Sequence, residues 1–307
     1  GLDIQGGDGG IIEGLTIKNS FDTGIRLSNA AVNYQILDCT IIEHNNEGIR
    51  ISGPTSGGHT IRRCFIGTDG VSDLIGNGGA GIYISGSSMN TIGSATVSET
   101  QVISGNVGAG IKIVTLGTGD QSLNNAIFGN IIGLSADGTT SITNTVGIDI
   151  DAGSADPDSI NVTRIGQPGN AARNIVSGNN VTNIRLSGST LNNTRVYNNF
   201  IGPNAAGNMG IPDGIIISSA NDNTVAGNMI GTQLDGETAL GNGQNGILIL
   251  SPSFDATGNI IGGTVDGGNY IAYNGGAGIQ LQRATSNVVN TTMTYNAIFS
   301  NTGDGIV

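Results

Sequence analysis

A four-residue pattern of apolar and polar positions recurs along the whole chain: a glycine, an apolar residue, a variable residue and a second apolar residue. Apolar residues two positions apart share one face of a β-strand, and the residue between them points the opposite way. The unit occurs at Gly1–Ile4, Gly24–Leu27, Gly48–Ile51, Gly81–Ile84, Gly110–Ile113, Gly147–Ile150, Gly214–Ile217, Gly246–Ile249 and Gly278–Leu281, with a variant at Asn183–Leu186 and a shortened copy at Gly305–Val307. Consecutive copies start about 23 to 37 residues apart, and a repeat of this length indicates a solenoid.

Two further short strands follow each unit. The second often begins with Asn, as in Asn90–Ile92 and Asn223–Val225, and the third is short and apolar, as in Phe65–Ile66. No helical period extends over a useful window. Short strands separated by turn residues predict an all-β protein.

Equivalent strands recur in the same direction once per repeat, which predicts parallel stacking about 4.8 Å apart. A single coil cannot bury its apolar side, whereas about ten stacked coils can. We therefore predict a single-stranded parallel β-helix of about ten coils, each with three short strands, as one domain over residues 1–307. The chain lacks a starting Met and a signal peptide, and its first residues already look like the middle of a coil, so we expect a fragment of a longer or processed protein.

An asparagine stands three or four residues before most of the units. Asn tolerates left-handed backbone, and its amide both donates and accepts hydrogen bonds, so we predict asparagines stacked from coil to coil. These residues are Asn45, Asn77, Asn106, Asn144, Asn179, Asn242, Asn274 and Asn301. The glycine that opens each unit is expected to adopt a positive φ.

The two cysteines, Cys39 and Cys64, precede the third strand in successive repeats, where a later repeat has Asn130. This spacing predicts that they stack. Straight stacking leaves their β-carbons farther apart than the ~3.8 Å of a typical disulfide, which favours packed thiols, with a disulfide as the alternative.

Composition narrows the class of partner. The net charge is −12 and the pI about 4.3, so nucleic acid and anionic membrane surfaces are poor partners, and no nucleic-acid binding is expected. No apolar run approaches the ~20 residues that a membrane-spanning helix needs, so no membrane insertion is expected. Regular apolar runs also distinguish this glycine-rich chain from a disordered one.

The segments GLDIQGG…GLTIKN, FIGTDG…GNGGAGIYI, NTIG…VISGNVGAGIKI and GNMIGTQLDGETALGNGQNGILIL resemble a large class of bacterial right-handed parallel β-helix repeat proteins. The resemblance covers nearly the whole chain and implies right-handed coiling and an extracellular or cell-surface location. The same architecture is shared with the pectate-lyase-like enzymes. The chain lacks their paired-Asp, GHG, Arg-Pro and YG-x-DPH patterns, which lowers the expectation of catalysis.

The variable residues of the units form one predicted outward row. Its candidate ligand-binding members are Arg26, Arg50, Tyr83, Lys112, Asp149 and Arg185. Guanidinium and ammonium groups bind carboxylates, and a tyrosine face packs against a sugar ring, so an anionic polysaccharide is a candidate ligand for this row. A solvated strand face is the alternative. Later members of the row are apolar, Ile216 and Leu248, and an exposed apolar patch can mark a contact with another domain or subunit.

Acidic residues are concentrated in and just after the sixth unit: Asp149 and Asp151 share the outward side of the strand, and Asp156 and Asp158 lie in the following loop. Carboxylates can hold Ca²⁺, so these four residues are the calcium candidates, with acidic turns as the alternative. No other cofactor is expected, and no residue is assigned a catalytic role. His44 and His59 lie near acidic or basic residues but lack a nucleophile or metal set, so proton transfer there is a minor hypothesis.

These features favour a non-catalytic, extracellular or cell-surface segment that acts as a rigid scaffold or adhesin and contacts glycans. Polysaccharides or other surface proteins are the expected partners. One alternative is a polysaccharide-active enzyme, a lyase, hydrolase or epimerase, with its site on the outward face of the repeated strands. Another is a purely structural spacer.

Overall fold

The computed structural model describes residues 1–71, 75–96, 99, 101–117, 119–153, 159–168, 173–202, 213–232, 239–264 and 267–307. These residues form 35 β-strands, numbered here in chain order. The described part contains no α-helix, and hence none with the length and apolar character that crossing a bilayer requires.

The strands belong to three long parallel sheets of ten strands each. The first sheet contains β1 (Leu2–Ile4), β4 (Ile25–Ser28), β7 (Ile49–Ser52), β10 (Ile82–Ser85), β13 (Ala109–Thr115), β17 (Val146–Ala152), β21 (Thr182–Ser187), β25 (Asp213–Ser218), β28 (Ile247–Ser251) and β32 (Ile279–Arg283). The second contains β2 (Ile11–Glu13), β5 (Gln35–Leu37), β8 (Thr60–Arg62), β11 (Thr91–Gly93), β15 (Ala126–Phe128), β19 (Arg164–Ile165), β23 (Arg195–Tyr197), β26 (Thr224–Ala226), β30 (Ile260–Gly262) and β34 (Thr292–Thr294).

The third sheet follows the same order of coils. It contains β3 (Thr16–Lys18), β6 (Thr40–Ile42), β9 (Phe65–Ile66), β12 (Gln101–Ile103), β16 (Asn130–Ile132), β20 (Ile175–Ser177), β24 (Phe200–Gly202), β27 (Met229–Ile230), β31 (Tyr270–Ala272) and β35 (Ala297–Phe299). Two small sheets lie at a turn: β14 (Ser122–Leu123), β18 (Ile160–Asn161) and β22 (Leu191–Asn192) form one, and β29 (Ala256–Thr257) and β33 (Val288–Val289) form the other.

Each coil contributes one strand to each long sheet, so the chain is a right-handed parallel β-helix, as predicted. Inward residues stack on their counterparts: Ile49 of β7 pairs with Ile82 of β10, and both are completely buried. Parallel strands joined by crossover connections are almost always right-handed, because the strand twist favours that path. The repeated apolar positions therefore form one continuous core along the helix axis.

Asparagine ladders line three corners of the helix, which confirms the predicted coil-to-coil bonding. In the ladder before the first sheet, Asn77 donates through Nδ2 to Oδ1 of Asn106 at 2.8 Å, and Asn106 donates to Asn144 at 3.0 Å. The ladder continues through Asn179, Asn183, Asn242, Asn274 and Asn301. Each amide also bonds the backbone of its neighbour, so the turns of successive coils are fixed to each other.

The prediction was wrong for one residue, Asn45, which does not belong to this ladder. Asn45 is exposed, and the ladder position in its coil belongs to the buried His44. The backbone N–H of His44 donates to Oδ1 of Asn77 at 3.2 Å. His44 lies four residues before Gly48, as Asn77 does before Gly81, so the spacing is the usual one and a histidine takes the place of the asparagine.

The expected positive φ of the opening glycines was also wrong. Positive-φ glycines occur elsewhere, but the unit glycines such as Gly81 and Gly110 are not among them. A β-carbon on Gly81 would lie 2.7 Å from the Gly110 carbonyl oxygen and 2.8 Å from Nδ2 of Asn106. The glycine is therefore required because the adjacent coil and its ladder amide leave no space for a side chain.

Cys39 and Cys64 stack at the start of the third-sheet ladder, as predicted, and both are buried thiols. The ladder continues from Gln101 to Asn130 at 3.1 Å and then through Asn174, Asn199, Asn228, Asn269 and Asn296. The hydrogen bond with Cys39, together with burial, raises the pKa of the Cys64 thiol above its usual range. The cysteines thus occupy ladder positions as small buried residues.

Candidate functional site

The outward residues of the first sheet form a single row, which we call the outward row. Its members pair in register in the order Asp3, Arg26, Arg50, Tyr83, Lys112, Asp149, Arg185, Ile216, Leu248 and Gln280. Neighbours are separated by one strand spacing of about 4.8 Å. All six candidate binding residues predicted from the sequence therefore lie in line on a rigid sheet.

The arginines at the start of the row have acidic partners from the turn before each strand. Arg26 bonds Asp22, and Nη1 of Arg50 lies 3.2 Å from Oε1 of Glu47. Asp22 also accepts a hydrogen bond from Asn46 at 2.6 Å, and the bonds from Asn46 and Arg26 lower the pKa of its carboxyl group. These pairs reduce the positive charge that the sequence pattern suggested.

The guanidinium of Arg50 stacks on the ring of Tyr83, with Cζ 4.7 Å from the ring centroid. A cation placed over a tyrosine face is attracted by the ring quadrupole, by about 0.5–1 kcal/mol at an exposed site. The contact fixes the Tyr83 side chain on one side and leaves it half-buried.

Asp149 is the centre of the most tightly connected part of the row. Its two carboxylate oxygens each accept a bond of 2.8 Å from Arg185, through Nε and Nη2, and Nζ of Lys112 lies 3.2 Å from Oδ2. Asp149 is only 2% exposed, so a partner is required for its charge. The bonds to Asp149 raise the pKa of Arg185, while burial opposes this shift.

A groove of about 460 Å³ lies over this cluster. Four residues of the outward row line it: Tyr83, Lys112, Asp149 and Arg185. Its lining also includes Glu47, Ala80, Gly108, Ala109, Val114, Thr115, Leu116, Thr145, Val146, Asp151 and Gly153. The groove joins four of the six predicted residues. Arg26 lines a smaller groove of about 200 Å³ near the first strand, with Asp3 and Asp22.

Sequence analysis missed Asp22 and Glu47, which neutralise the arginines of the row. The signal that could have found them is their spacing, since Asp22 precedes Arg26 by four residues and Glu47 precedes Arg50 by three. Whether such neighbours meet depends on the path of the turn. Asp149 was identified, but its role as the shared partner of Lys112 and Arg185 follows only from the register.

The calcium prediction stays a prediction. Asp156 and Asp158 lie outside the described residues. Both oxygens of Asp149 bond cationic side chains, and the described part of the chain contains no group of three or more potential metal-binding side chains.

The two histidines are ladder residues: His44 precedes Asn77 in the ladder before the first sheet, and His59 precedes Asn90 in a ladder before the second sheet. In this second-sheet ladder Asn90 donates to Asn125 at 2.9 Å, and Asn223 donates to Asn259 at 3.1 Å. Nδ1 of His44 accepts the backbone N–H of Ser20 at 3.0 Å, and its Nε2 lies 3.1 Å from the Ile17 carbonyl oxygen. Nδ1 of His59 accepts the backbone N–H of Tyr34 at 3.2 Å. Each ring therefore makes the bonds that an asparagine amide makes in other coils, which explains these residues without proton-transfer chemistry.

The apolar members of the row, Ile216 and Leu248, pair in register, with Leu250 one pleat farther along the strand, and all three are half-buried. They lie next to Arg185 and so border the charged part of the row. Their contact with another domain or subunit stays a prediction.

No family model and no curated protein sequence matches this chain. Among solved structures, the Dettilon tailspike protein is similar, with a TM-score of 0.53 and 17% identity over 81% of this chain and 44% of the tailspike chain. The Streptococcus pneumoniae surface protein and adhesin PfbA gives 0.40 and 10%, over 99% and 68% of the two chains. The A-module of an Azotobacter vinelandii mannuronan C-5 epimerase gives 0.31 and 10%, over 98% and 91%. The chain thus spans less than half of the tailspike, and the likeness is one of fold: this is a parallel β-helix protein.

Proposed function

We propose that this chain is an extracellular or cell-surface β-helix that binds carbohydrate in the groove over Tyr83, Lys112, Asp149 and Arg185. The observation that supports the proposal most is the groove itself, in which an aromatic ring and three charged groups lie in line on rigid strands. Binding groups held by a rigid scaffold lose little conformational freedom when a ligand arrives.

The ion pairs favour a polar glycan of low charge over a strongly anionic one. Arg26 is neutralised by Asp22, and Arg50 by Glu47. Lys112 and Arg185 share Asp149, and their remaining positive charge is balanced by Asp151 in the same groove. Sugar hydroxyls can bond to paired charges without displacing either partner, because guanidinium groups have several donors.

Binding to a glycan array followed by calorimetry tests this proposal. Tyr83→Ala removes the ring from the groove and from Arg50, and we expect binding of a positive glycan to weaken at least tenfold. Tyr270→Ala is the matched control, because Tyr270 is 47% exposed on the third sheet, away from the groove. Equal affinity of the wild-type chain and Tyr83→Ala would contradict the proposal. Absence of any glycan ligand would instead favour a structural spacer.

A second candidate function is polysaccharide cleavage or epimerisation in the same groove. It is favoured by the buried Asp149, which holds Lys112 beside Tyr83 on adjacent strands. A lysine and a tyrosine so placed have the groups for acid–base chemistry on a sugar ring. Incubation with polyuronates distinguishes this candidate, since new unsaturated uronate absorbance or new reducing ends would show catalysis. Loss of that signal in Lys112→Gln would assign it to the groove.

A further inference from the structure

Two arginines lie side by side on the outward face of the second sheet, away from the outward row. Arg164 of β19 and Arg195 of β23 are register partners, and both are exposed. In-register neighbours are about 4.8 Å apart. Like charges directly opposite each other destabilise a sheet, so this pair costs stability in the absence of an anion.

Neither arginine has an acidic partner within the described residues, unlike the other clustered cations. Those that do form ion pairs with carboxylates are Arg26, Arg50, Arg62, Arg63, Lys112 and Arg185. Two adjacent cations that form no ion pair within the described part of the chain are unusual in a protein with a net charge of −12. Arg164 is partly positioned by Phe128, whose ring centroid lies 5.6 Å from its Cζ.

A groove of about 520 Å³ begins one strand from Arg195, and neither arginine is among its lining residues. Thr224, which pairs in register with Arg195, and Tyr197, two residues farther along β23, both line it. Ile260 and Pro168 add apolar surface, and Thr264 adds a hydroxyl group. Arg195 therefore borders a surface that suits a ring or a short chain, and Arg164 lies one strand farther from that surface.

We infer that this second groove binds an organic ligand through a sulfate or phosphate ester group. A guanidinium presents paired donors that match the oxygens of a tetrahedral oxyanion, and two exposed arginines on adjacent strands supply two such forks and two charges. The organic group attached to the ester oxygen then lies in the groove, against Tyr197 and Ile260. The site is on a different sheet from the groove of the proposed function and does not depend on it.

Titration of the full chain with phenyl sulfate and phenyl phosphate, followed by calorimetry, tests the inference. Inorganic sulfate and inorganic phosphate serve as ring-free probes. We expect saturable binding of one aryl ester or both, tighter than that of the matching inorganic ion because the ring contacts the groove. The stronger of the two aryl esters identifies the oxyanion. We also expect the affinity to fall with added NaCl, since the contacts are ionic.

Variants that remove the charge of one arginine test whether the esters bind at Arg164 and Arg195. Arg164→Gln and Arg195→Gln should each weaken it at least tenfold, and Arg195→Lys should weaken it less, because the charge stays but the fork is lost. Arg283→Gln is the matched control, since Arg283 is an exposed arginine on the first sheet. Tyr83→Ala should leave ester binding unchanged, which separates this site from the carbohydrate groove.

Melting temperatures of the variants, measured without ligand, test whether weaker binding results from a loss of folding. Without ligand, Arg195→Gln should melt at the wild-type temperature or above it, because a like-charge pair is removed. The inference is overturned if the wild-type chain shows no saturable binding of either ester, or if Arg283→Gln weakens binding as much as Arg195→Gln does. Aryl esters no tighter than the inorganic ions would also overturn it, because the groove would then contribute nothing.

Discussion

His59 makes the stability of this β-helix depend on pH in the mildly acidic range. The ring is completely buried and occupies a ladder position, with Nδ1 accepting the Tyr34 N–H and Nε2 3.1 Å from Oγ of Ser56. Burial lowers the pKa of His59 from 6.5 to about 4. The folded chain therefore keeps this ring neutral at a pH where the unfolded chain has already bound a proton.

The size of the effect follows from the shift in pKa. The unfolded chain binds more protons than the folded chain between pH 6.5 and about 4, so the free energy of unfolding falls as the pH drops through this interval. At about 1.4 kcal/mol per pKa unit, the whole interval corresponds to about 3 kcal/mol. About 2 kcal/mol of this is lost between pH 7 and pH 5. Burial also lowers the pKa of His44, so this residue acts in the same direction.

His59→Asn is the informative perturbation, because asparagine can replace the histidine within the ladder. Its Oδ1 can accept the Tyr34 N–H, and its Nδ2 can donate to Asn90, whose Oδ1 already accepts the backbone N–H of residue 59 at 3.1 Å. We expect the variant to fold and to lose most of the change in stability between pH 7 and pH 5. Adding His44→Asn should reduce the change further, because burial also lowers the pKa of His44.

Urea unfolding followed by circular dichroism, at several pH values between 7 and 5, measures this difference. The interval avoids the paired carboxylates such as Asp22 and Asp38, whose pKa values are lowered from 3.8 and which lose their contribution at more acidic pH. The same slope of unfolding free energy against pH in the wild-type chain and in His59→Asn would refute the reasoning. The native histidine would then not be held neutral by burial.

Three further predictions concern stability and are measured by chemical unfolding at pH 7. Asp149→Asn should lower the free energy of unfolding by about 2 kcal/mol, because Lys112 and Arg185 lose their shared buried partner; no change would mean that the cluster contributes nothing. Thr163→Asn with Thr194→Asn should raise it by about 1–2 kcal/mol, since both hydroxyls are buried without a hydrogen-bond partner in the described part and asparagine would complete the second-sheet ladder; a loss would show that the corner cannot hold an amide. Gly110→Ala should lower it by about 1–3 kcal/mol, because the new β-carbon would lie 2.8 Å from the Gly147 carbonyl oxygen, whereas Gly117→Ala, whose new β-carbon would meet no described atom within 4 Å, should have little effect.

The ladders show where prediction from the chain worked and where it failed. The stacking of Asn77, Asn106 and Asn144 could be predicted because every coil closes at the same point before the unit. His44 was missed because the prediction considered asparagine alone, although His44 lies four residues before Gly48, as Asn77 does before Gly81. The spacing from the unit therefore located the ladder position, whereas a residue other than asparagine at that position was recognised only from the hydrogen bonds of the structure.

The candidate sites divide in the same way. The order of Arg50, Tyr83 and Lys112 in the outward row could be predicted, since the repeated unit recurs once per coil. The charge of that row could not, because it depends on whether Glu47 folds back onto Arg50 and on which cations reach Asp149. The pairing of Arg164 with Arg195 could not be predicted either. Loops of different length precede the two strands, so the two residues lie at different distances from the repeated unit in the sequence.

The sequence by itself therefore determined the solenoid: alternating apolar residues such as Ile49 and Ile51, recurring about every 30 residues, can be buried only by stacking on copies of themselves. It also determined the order of the residues on the first sheet, because register follows from that burial. The tertiary structure alone decided which charges neutralise each other and which, like Arg164 and Arg195, have no carboxylate partner among the described residues. Hydrophobic burial depends on which face of a strand a residue occupies, whereas an ion pair depends on the position of single atoms within about 4 Å of each other.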